Sequence, residues 1–323
     1  MGRKIVGMIS SYTGVSKTDW LWQQTPHPFG VWGNIQMLAT AKNPDFLLLY
    51  NFHNFPELNS KKHQNRSFLS RFRKPFGEKD IDMPALLRGV PRERIVSLVR
   101  EPPFEKMRRK RLAEYQCAQA YCGYVSGPDN FAPVPNYMPA IWYHANSFRE
   151  LNEMASPEKE KPCCWMTSGI DRTAEHRRRL SFLKRLRESE LDFDLYGRRL
   201  PDWAGGYGQF DNKWNVMAPY YYNLAIENYA ENEWYVSEKL WDALLAWCLP
   251  IYYGSSAADK LLPPGSFLRL PSLDEKGVAY IQEVTATLDV WHERRAAIAE
   301  ARQVILHELN LLNFLSNLVE KLG

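Results

Sequence analysis

The stretch 220-YYYNLAIENYAENEWYVSEKLWDALLAWCLPIYYG-254 decides how the chain folds. Residues 220 to 226 are largely aromatic and aliphatic, as a buried strand requires, and polar residues from Glu227 to Glu233 then break the run. An amphipathic helix is expected from near Ser237, whose hydroxyl can cap it. Val236 and Trp241 have the spacing of a hydrophobic staple, and Leu240, Leu244 and Trp247 recur along one face. Pro250 should stop this helix, Ile251, Tyr252 and Tyr253 should form the next buried strand, and Gly254 permits a sharp turn after it. The unit reads β-loop-α-β. Glu227, Asn228, Tyr235, Glu238 and Lys239 fall at a strand end or in a first helical turn, where parallel α/β sheets bind ligands.

These residues also carry a resemblance. Glu227-Asn228, then 235-YVSEKLWDALLAWCLPIYYG-254, then 261-LLPPGSF-267 resemble the core of the α-1,3/1,4-fucosyltransferase family (glycosyltransferase family 10). That core reads roughly F-E-N-S, a short spacer, Y-V/I-T-E-K, a helix, V-P-V/I-x-x-G and P-P-x-x-F. The likeness is densest between residues 163 and 270 and thins toward the N-terminus. It implies an α/β, GT-B-like fold: two Rossmann-like domains facing a cleft, with a C-terminal helix packing back on the N-terminal domain. It also implies that Asn228 and Tyr235 contact a nucleotide-sugar donor, that Glu238 holds ribose hydroxyls, and that Lys239 contacts phosphate. Glu227 would stabilise the sugar cation or orient Asn228. The chemistry agrees, since a carboxylate accepts from vicinal hydroxyls and an ammonium offsets pyrophosphate charge. Ala225-Ile226, Tyr229 in place of serine, and a spacer one residue longer depart from the family's pattern; Ser237 replaces threonine but keeps the hydroxyl.

Length and composition set the frame. At 323 residues, 45% of them hydrophobic, the chain has room for two domains with real cores. A net charge of +4 suits an anionic substrate without implying nucleic acid, and no nucleic-acid module is recognisable. Cys117, Cys122, Cys163, Cys164 and Cys248 lack paired metal-ligand spacing, so packed thiols are expected and no metal site. No apolar run reaches membrane-spanning length, which reads as a soluble, cytoplasmic protein or catalytic region.

In the N-terminal half, Ile5 to Ile9 should be a strand feeding the loop from Ser10 to Thr18. Residues 31 to 41 have the composition of a helix, and Asp45 to Tyr50 reads as a second strand. Trp32 could join an acceptor wall, although aromatic residues more often cover a domain edge. The basic run Lys61, Lys62, Arg66, Arg71, Arg73 and Lys74 could attract phosphate, but such runs are commonly solvated faces. Ile95 to Val99 form a strand, and Glu101 follows before Pro102-Pro103. Read alone, Glu101 is an ordinary turn residue. The resemblance implies more, because the family carries its general base at such a strand end, and this places the base on Glu101. A helix is expected over 104 to 116 with its arginines facing solvent, and Tyr121 to Val125 as another strand. Tyr137 and His144 could line the cleft.

A Ser/Pro and Lys/Glu linker between Asn152 and Pro162 divides the chain into residues 1–155, an acceptor-binding domain, and 156–290, a donor-binding domain; 291–323 is a helical tail. The strand from Cys163 leads through Ser168-Gly169 into a helix over 172–186. The family's pyrophosphate-binding arginine falls on Arg177, or on Arg178 if the register slips by one. Asp192 and Asp194 begin a strand, the wrong end for a catalytic metal pair, and the loop 201–215 lacks the glycine spacing of a dinucleotide or P-loop motif.

The expectation is inverting transfer of L-fucose from GDP-β-L-fucose to a hydroxyl of an N-acetylglucosamine or glucose residue, giving an α-1,3 or α-1,4 linkage. GDP-fucose enters as a substrate, with no obligatory cofactor and a divalent metal at most a stimulant. The partners are a glycan or glycoconjugate acceptor and no nucleic acid, with peripheral membrane contact and a homodimer left open by the apolar tail. Two rival readings remain: a related transferase using another nucleotide sugar or acceptor, and a nucleotide- or glycan-binding protein without transferase activity.

Overall fold

A computed structural model of the protein describes residues 2–12, 14–56 and 82–323. The basic run Lys61, Lys62, Arg66, Arg71, Arg73 and Lys74 lies outside the described residues. The N-terminal sheet has seven strands: β1 (Lys4–Ser10), β2 (Val31–Trp32), β3 (Ile35–Met37), β4 (Phe46–Tyr50), β5 (Ile95–Leu98), β6 (Tyr124–Gly127) and β7 (Val134–Pro135). They run in the order β2-β3-β1-β4-β5-β6-β7, parallel except for the β2-β3 pair. All five residues of β4 are buried, as in a central parallel strand covered on both faces. Short helix α1 (Met83–Leu86), long helix α2 (Arg108–Tyr121) and α3 (Phe148–Glu153) complete this half.

Five parallel strands build the second sheet: β8 (Lys161–Met166), β9 (Asp194–Tyr196), β10 (Tyr220–Ile226), β11 (Leu249–Tyr253) and β12 (Leu268–Arg269), in the order β12-β11-β10-β8-β9. Helices α4 (Ala174–Glu188), α5 (Lys213–Met217), α6 (Glu238–Leu245), α7 (Ala257–Leu261), α8 (Glu275–Thr285) and α9 (Asp289–Gln303) connect and cover it. A π-helical turn, Val304–Glu308, then carries the chain to α10 (Leu311–Leu322), which packs against β2 and β3 of the first sheet. This is the GT-B arrangement with a returning C-terminal helix.

The structure corrects several local expectations. Residues 31–41 are not helical: β2 and β3 form a hairpin in which Trp32 pairs with Ile35 across Gly33-Asn34. The alternation of buried Ile35, half-buried Gln36 and buried Met37 has the strand period of two. Gly33 has a φ of +52°, and a Cβ there would lie 2.6 Å from Ser316 Oγ on α10, so both conformation and packing select glycine. Helix α6 ends at Leu245, where Ala246 caps it and Trp247 turns left-handed at φ 62°. Pro250 does not stop that helix. It sits inside β11, paired in register with Asn223. Helix α2 starts at Arg108 and runs to Tyr121, and it buries Arg111 instead of exposing it.

Packing explains why α10 crosses back. Leu311, Leu312, Leu315, Leu318 and Val319 are buried along one face, in the spacing of an amphipathic helix. Polar contacts fix its register on the N-terminal domain: Ser316 Oγ donates to Asn34 Oδ1 at 2.9 Å and Asn310 Nδ2 to the Gln24 carbonyl at 3.0 Å. Trp32 Nε1 donates to Asn313 Oδ1 at 3.3 Å. Leu312→Ala, at a fully buried position, is therefore expected to cost about 2–5 kcal/mol in urea unfolding followed by tryptophan fluorescence. A loss under about 0.5 kcal/mol would show that α10 is not part of the core.

Candidate active site

Strand order locates a crevice in the second sheet. The chain goes from β8 to β9 on one side and then to β10 on the other, so the loops leaving β8 and β10 diverge between neighbouring strands. Open α/β sheets bind ligands at such a switch point. Here it is flanked by Ser168 to Ile170 after β8 and by Glu227-Asn228 after β10.

Glu227 is 3% exposed, and both its oxygens are engaged. Oε1 accepts from the Ser237 backbone N–H at 2.7 Å, while Oε2 accepts from Ser237 Oγ at 2.6 Å and from Lys239 Nζ at 3.2 Å. Ser237 Oγ in turn accepts from the Lys239 backbone N–H at 3.4 Å, which makes it the cap of α6. A Cβ at Gly254 would approach Glu227 Cγ to 2.8 Å, so the glycine leaves room for this carboxylate. The Glu227 side chain fastens the end of β10 to the start of α6. It also aims the Lys239 ammonium.

Asn228 is oriented by a residue missed in the sequence. Arg179 on α4 is 3% exposed; its Nη1 donates to Asn228 Oδ1 and its Nη2 to the Ser168 carbonyl at 2.8 Å. One guanidinium thus spans both sides of the switch point. Burial lowers its pKa to about 10, still charged at neutral pH. The signal was available: Arg179 lies on the same helical stripe as buried Phe182, Leu183 and Leu186, where an arginine needs a specific partner. Of the two arginines singled out by pattern, Arg177 is exposed and donates to the Asp171 carbonyl at 3.0 Å. Arg178 lies over the Tyr253 ring at 5.6 Å and lines a small cavity with Glu227, Asn228 and Tyr229.

Charges meet across the cleft at the start of α6. For Glu238, burial would raise the pKa, but Lys239, Lys213 and Arg100 together hold it at about 2. Burial likewise opposes the charge on Lys239, and Glu227 and Glu238 outweigh it and raise its pKa. Arg100 comes from the N-terminal domain, where its guanidinium donates to Tyr50 Oη at 2.8 Å. Tyr235 is buried beside this group, 5% exposed, with its hydroxyl pKa well above the ordinary value through burial and Glu227.

On the opposite wall Glu101 is half-buried and accepts a hydrogen bond from Tyr12 Oη. Burial raises its pKa, Arg111 pulls it down, and Glu238 across the cleft pushes it up. It opens on a cavity of about 370 Å³ lined by His53, Phe104, Lys106, Arg111 and Arg172 among others. The domains touch beside it. The Phe104 ring meets Tyr229 at 5.9 Å and His176 at 6.2 Å, and farther along Asn232 Nδ2 donates to the Pro128 carbonyl at 2.6 Å.

The three expected acceptor residues separate. Tyr137 is at the domain junction, 5.0 Å from the Trp234 ring. Trp32 is covered by α10 and edges onto Phe148, so its ring belongs to the core instead of a cleft wall. His144 is also interior, 4% exposed, with neither ring nitrogen hydrogen-bonded. It lies 4.0 Å from Asp242, whose other oxygen accepts from Lys213 Nζ at 2.5 Å. This gives Lys213 a place, behind α6. Asp194 accepts from Lys161 Nζ at 2.9 Å and from Tyr220, and among the described residues no group of three or more His, Cys, Asp or Glu is placed to hold a metal. No described helix is long and apolar enough to cross a membrane.

Comparison with known proteins finds its sequence matches largely in the C-terminal half of the chain. Residues 156–292 match the family model described as glycosyltransferase family 10 (fucosyltransferase) C-term. A 4-galactosyl-N-acetylglucosaminide 3-alpha-L-fucosyltransferase of Gorilla gorilla gorilla is 29% identical over 166 residues, which cover 50% of this chain and 42% of the relative. The corresponding protein of Pongo pygmaeus is 30% identical over 123 residues, 36% of this chain and 32% of its own length. The chain thus spans less than half of these curated relatives. Among solved structures, an alpha-glucosyltransferase in complex with UDP and a 13-mer DNA superposes with a TM-score of 0.57 at 9% identity, covering 99% of this chain and 100% of that one, a likeness of fold. The protein has the GT-B fold of glycosyltransferases. Through its C-terminal domain it is related to the fucosyltransferases.

His144 yields a pH prediction. Burial, then the Lys213 ammonium, depress its pKa from 6.5 to about 3. Between those values the unfolded chain binds the extra proton, so stability is full above pH 6.5 and falls as pH drops toward 3. From pH 7 to 5 this contributes a loss of about 2 kcal/mol. His144→Asn should flatten that part of the pH dependence of chemical unfolding; an unchanged slope would mean the imidazole is protonated in the folded protein.

Proposed function

We propose that the protein is an inverting glycosyltransferase that moves L-fucose from GDP-β-L-fucose to a hydroxyl of an N-acetylglucosamine or glucose residue, giving an α-1,3 or α-1,4 linkage. The observation that supports the reading is the match of residues 156–292, which hold Glu238 and Lys239, to the fucosyltransferase C-terminal family model, with Glu101 lining a cavity between the two domains. In this reading the C-terminal domain holds the donor. Glu238 accepts from the ribose hydroxyls, Tyr235 and Asn228 border the sugar nucleotide, and Lys239 and Arg178 face the diphosphate. Arg179 acts on the donor only through Asn228, as a positioning residue.

The chemical step then follows from the base. Glu101 takes the proton of the acceptor hydroxyl on the oxygen that Tyr12 leaves free. The hydroxyl oxygen forms its bond to the anomeric carbon from the face opposite the leaving group. The bond from that carbon to the phosphate oxygen breaks, its electron pair departing with GDP, whose charge Lys239 offsets. A carboxylate whose pKa is raised by burial is a stronger base than a solvated one. Cross-domain contacts at Phe104 and Asn232 keep the cleft narrow, which limits hydrolysis of the donor by water.

A second reading keeps the reaction and changes the donor sugar. Tyr229 stands where the family has serine, and its ring, between Phe104 and Tyr235, occupies space at the sugar end of the site. A panel of GDP-, UDP- and dTDP-sugars, with linkage analysis of any product on N-acetyllactosamine, separates the two. GDP-fucose should turn over fastest; a UDP- or dTDP-sugar outpacing it favours the second reading, and saturable GDP binding without product from any donor favours a binding protein. Glu101→Gln should lower kcat/KM by about 10²–10⁴ while leaving GDP affinity within about twofold, the range expected for loss of a general base. The wild-type rate should fall on the acid side of a pKa above the ordinary carboxylate range. Full turnover by the variant would remove Glu101 from the mechanism.

A further inference from the structure

The cavity beside Glu101 has a charge imbalance that neither the donor nor the base requires. Two carboxylates and four permanent cations line it. Glu114 is engaged: Arg111 Nε lies 3.4 Å from it, His53 Nδ1 3.7 Å and Lys110 Nζ 3.8 Å. Glu101 is held by Tyr12. That leaves Lys106 and Arg172. Among the described residues neither is in an ion pair; Lys106 lies 6.0 Å from the Phe104 ring centre, and Arg172 precedes the Thr173 cap of α4. They come from opposite domains, one from the turn before α2 and the other from the loop before α4, and they face the same space.

Two cations on facing walls of a cleft repel each other when nothing lies between them, and an anion between them reverses the sign of that interaction. The cavity volume of about 370 Å³ is within the range of about 300–1,000 Å³ for small-molecule sites. Nine of its eleven lining residues belong to the N-terminal domain, the side assigned to the acceptor. A hydroxyl delivered to Glu101 therefore brings the rest of its sugar ring into this space. Lys106 supplies a mobile point charge and Arg172 a planar fork suited to paired oxygens.

We propose that the acceptor sugar carries an oxyanion, a carboxylate, sulfate or phosphate on the ring that presents the accepting hydroxyl, and that Lys106 and Arg172 bind it from the two sides of the cleft. This rests on the acceptor being delivered to Glu101. Binding the anion also draws the two domains together at the point where Phe104 already touches Tyr229. Arg172 contributes selectivity among oxyanions by its geometry, and Lys106 contributes attraction that added salt weakens.

The test is a binding titration, independent of turnover, with GDP at saturation so that the diphosphate site is filled. The probes are methyl β-D-glucoside, methyl β-D-glucuronide, glucose 6-sulfate and glucose 6-phosphate, followed by saturation-transfer NMR and calorimetry. At least one anionic probe should bind about tenfold more tightly than the neutral glucoside. That preference should fall as salt is raised, and it should vanish in the double variants K106A/R172A and K106Q/R172Q, with folding verified by circular dichroism. The probe that wins identifies the oxyanion. Equal affinity for neutral and anionic probes, or a preference that survives in both double variants, overturns the proposal. Failure of the wild-type protein to bind GDP in the same titration would instead overturn the transferase reading, and the probe affinities would still decide the anion site.

Discussion

The clamp that Glu227 makes with Ser237 and Lys239 is the contact on which the rest of the site depends. A carboxylate and an ammonium removed from water are each costly, and their attraction offsets that cost only when further hydrogen bonds satisfy the remaining oxygens. Glu227 meets the condition, with a backbone N–H, a hydroxyl and the ammonium on its two oxygens. Loss of either partner would leave a buried charge unmatched. The clamp thereby fixes the angle at which α6 leaves the sheet, and with it the positions of Glu238 and Lys239. Tyr235 is placed by the same turn, since its carbonyl accepts from Ser255 Oγ at 2.6 Å and its N–H donates to Asn232 Oδ1 at 2.9 Å.

What could be read from the sequence was what is decided within a few residues. The β10-loop-α6-β11 unit was legible because buried strands, a serine cap and a strand-ending glycine act locally. The GT-B architecture was legible because ordered motifs pointed to it. Where distant chain decides, the reading failed. Residues 31–41 looked helical because their hairpin is held by α10, some 280 positions later, and Trp32 looked like a cleft residue for the same reason. The arginine assignment turned on helix register. Each residue rotates a side chain by about 100°, so fixing the start of α4 at Thr173 moves Arg179 to the interior and leaves Arg177 and Arg178 outside. The start of the helix, which the local spacing leaves open, decides which of the three arginines faces inward.

Charges in the cleft are held in two ways. Around the switch point and α6, Glu227 is tied to Lys239, Arg179 to Asn228 and Lys213 to Asp242. Such a wall is preorganised, and its electrostatic field changes little when a ligand arrives. Beside Glu101 the arrangement differs: Lys106 of the N-terminal domain and Arg172 of the C-terminal domain line one cavity, and among the described residues neither is in an ion pair. Recognition of a constant nucleotide fits the first kind of wall, and accommodation of a variable partner fits the second.

The return of α10 has a mechanical consequence. The chain passes between the domains twice, once before β8 and once through the π-helical turn at Val304–Glu308, and the second passage is fastened to the N-terminal domain where it ends. Ala140 N–H donates to the Leu309 carbonyl at 2.6 Å, and Leu311 N–H donates to the Ala140 carbonyl at 2.9 Å. Because these contacts are made by backbone atoms, the fastening does not depend on the side chains at Ala140, Leu309 and Leu311.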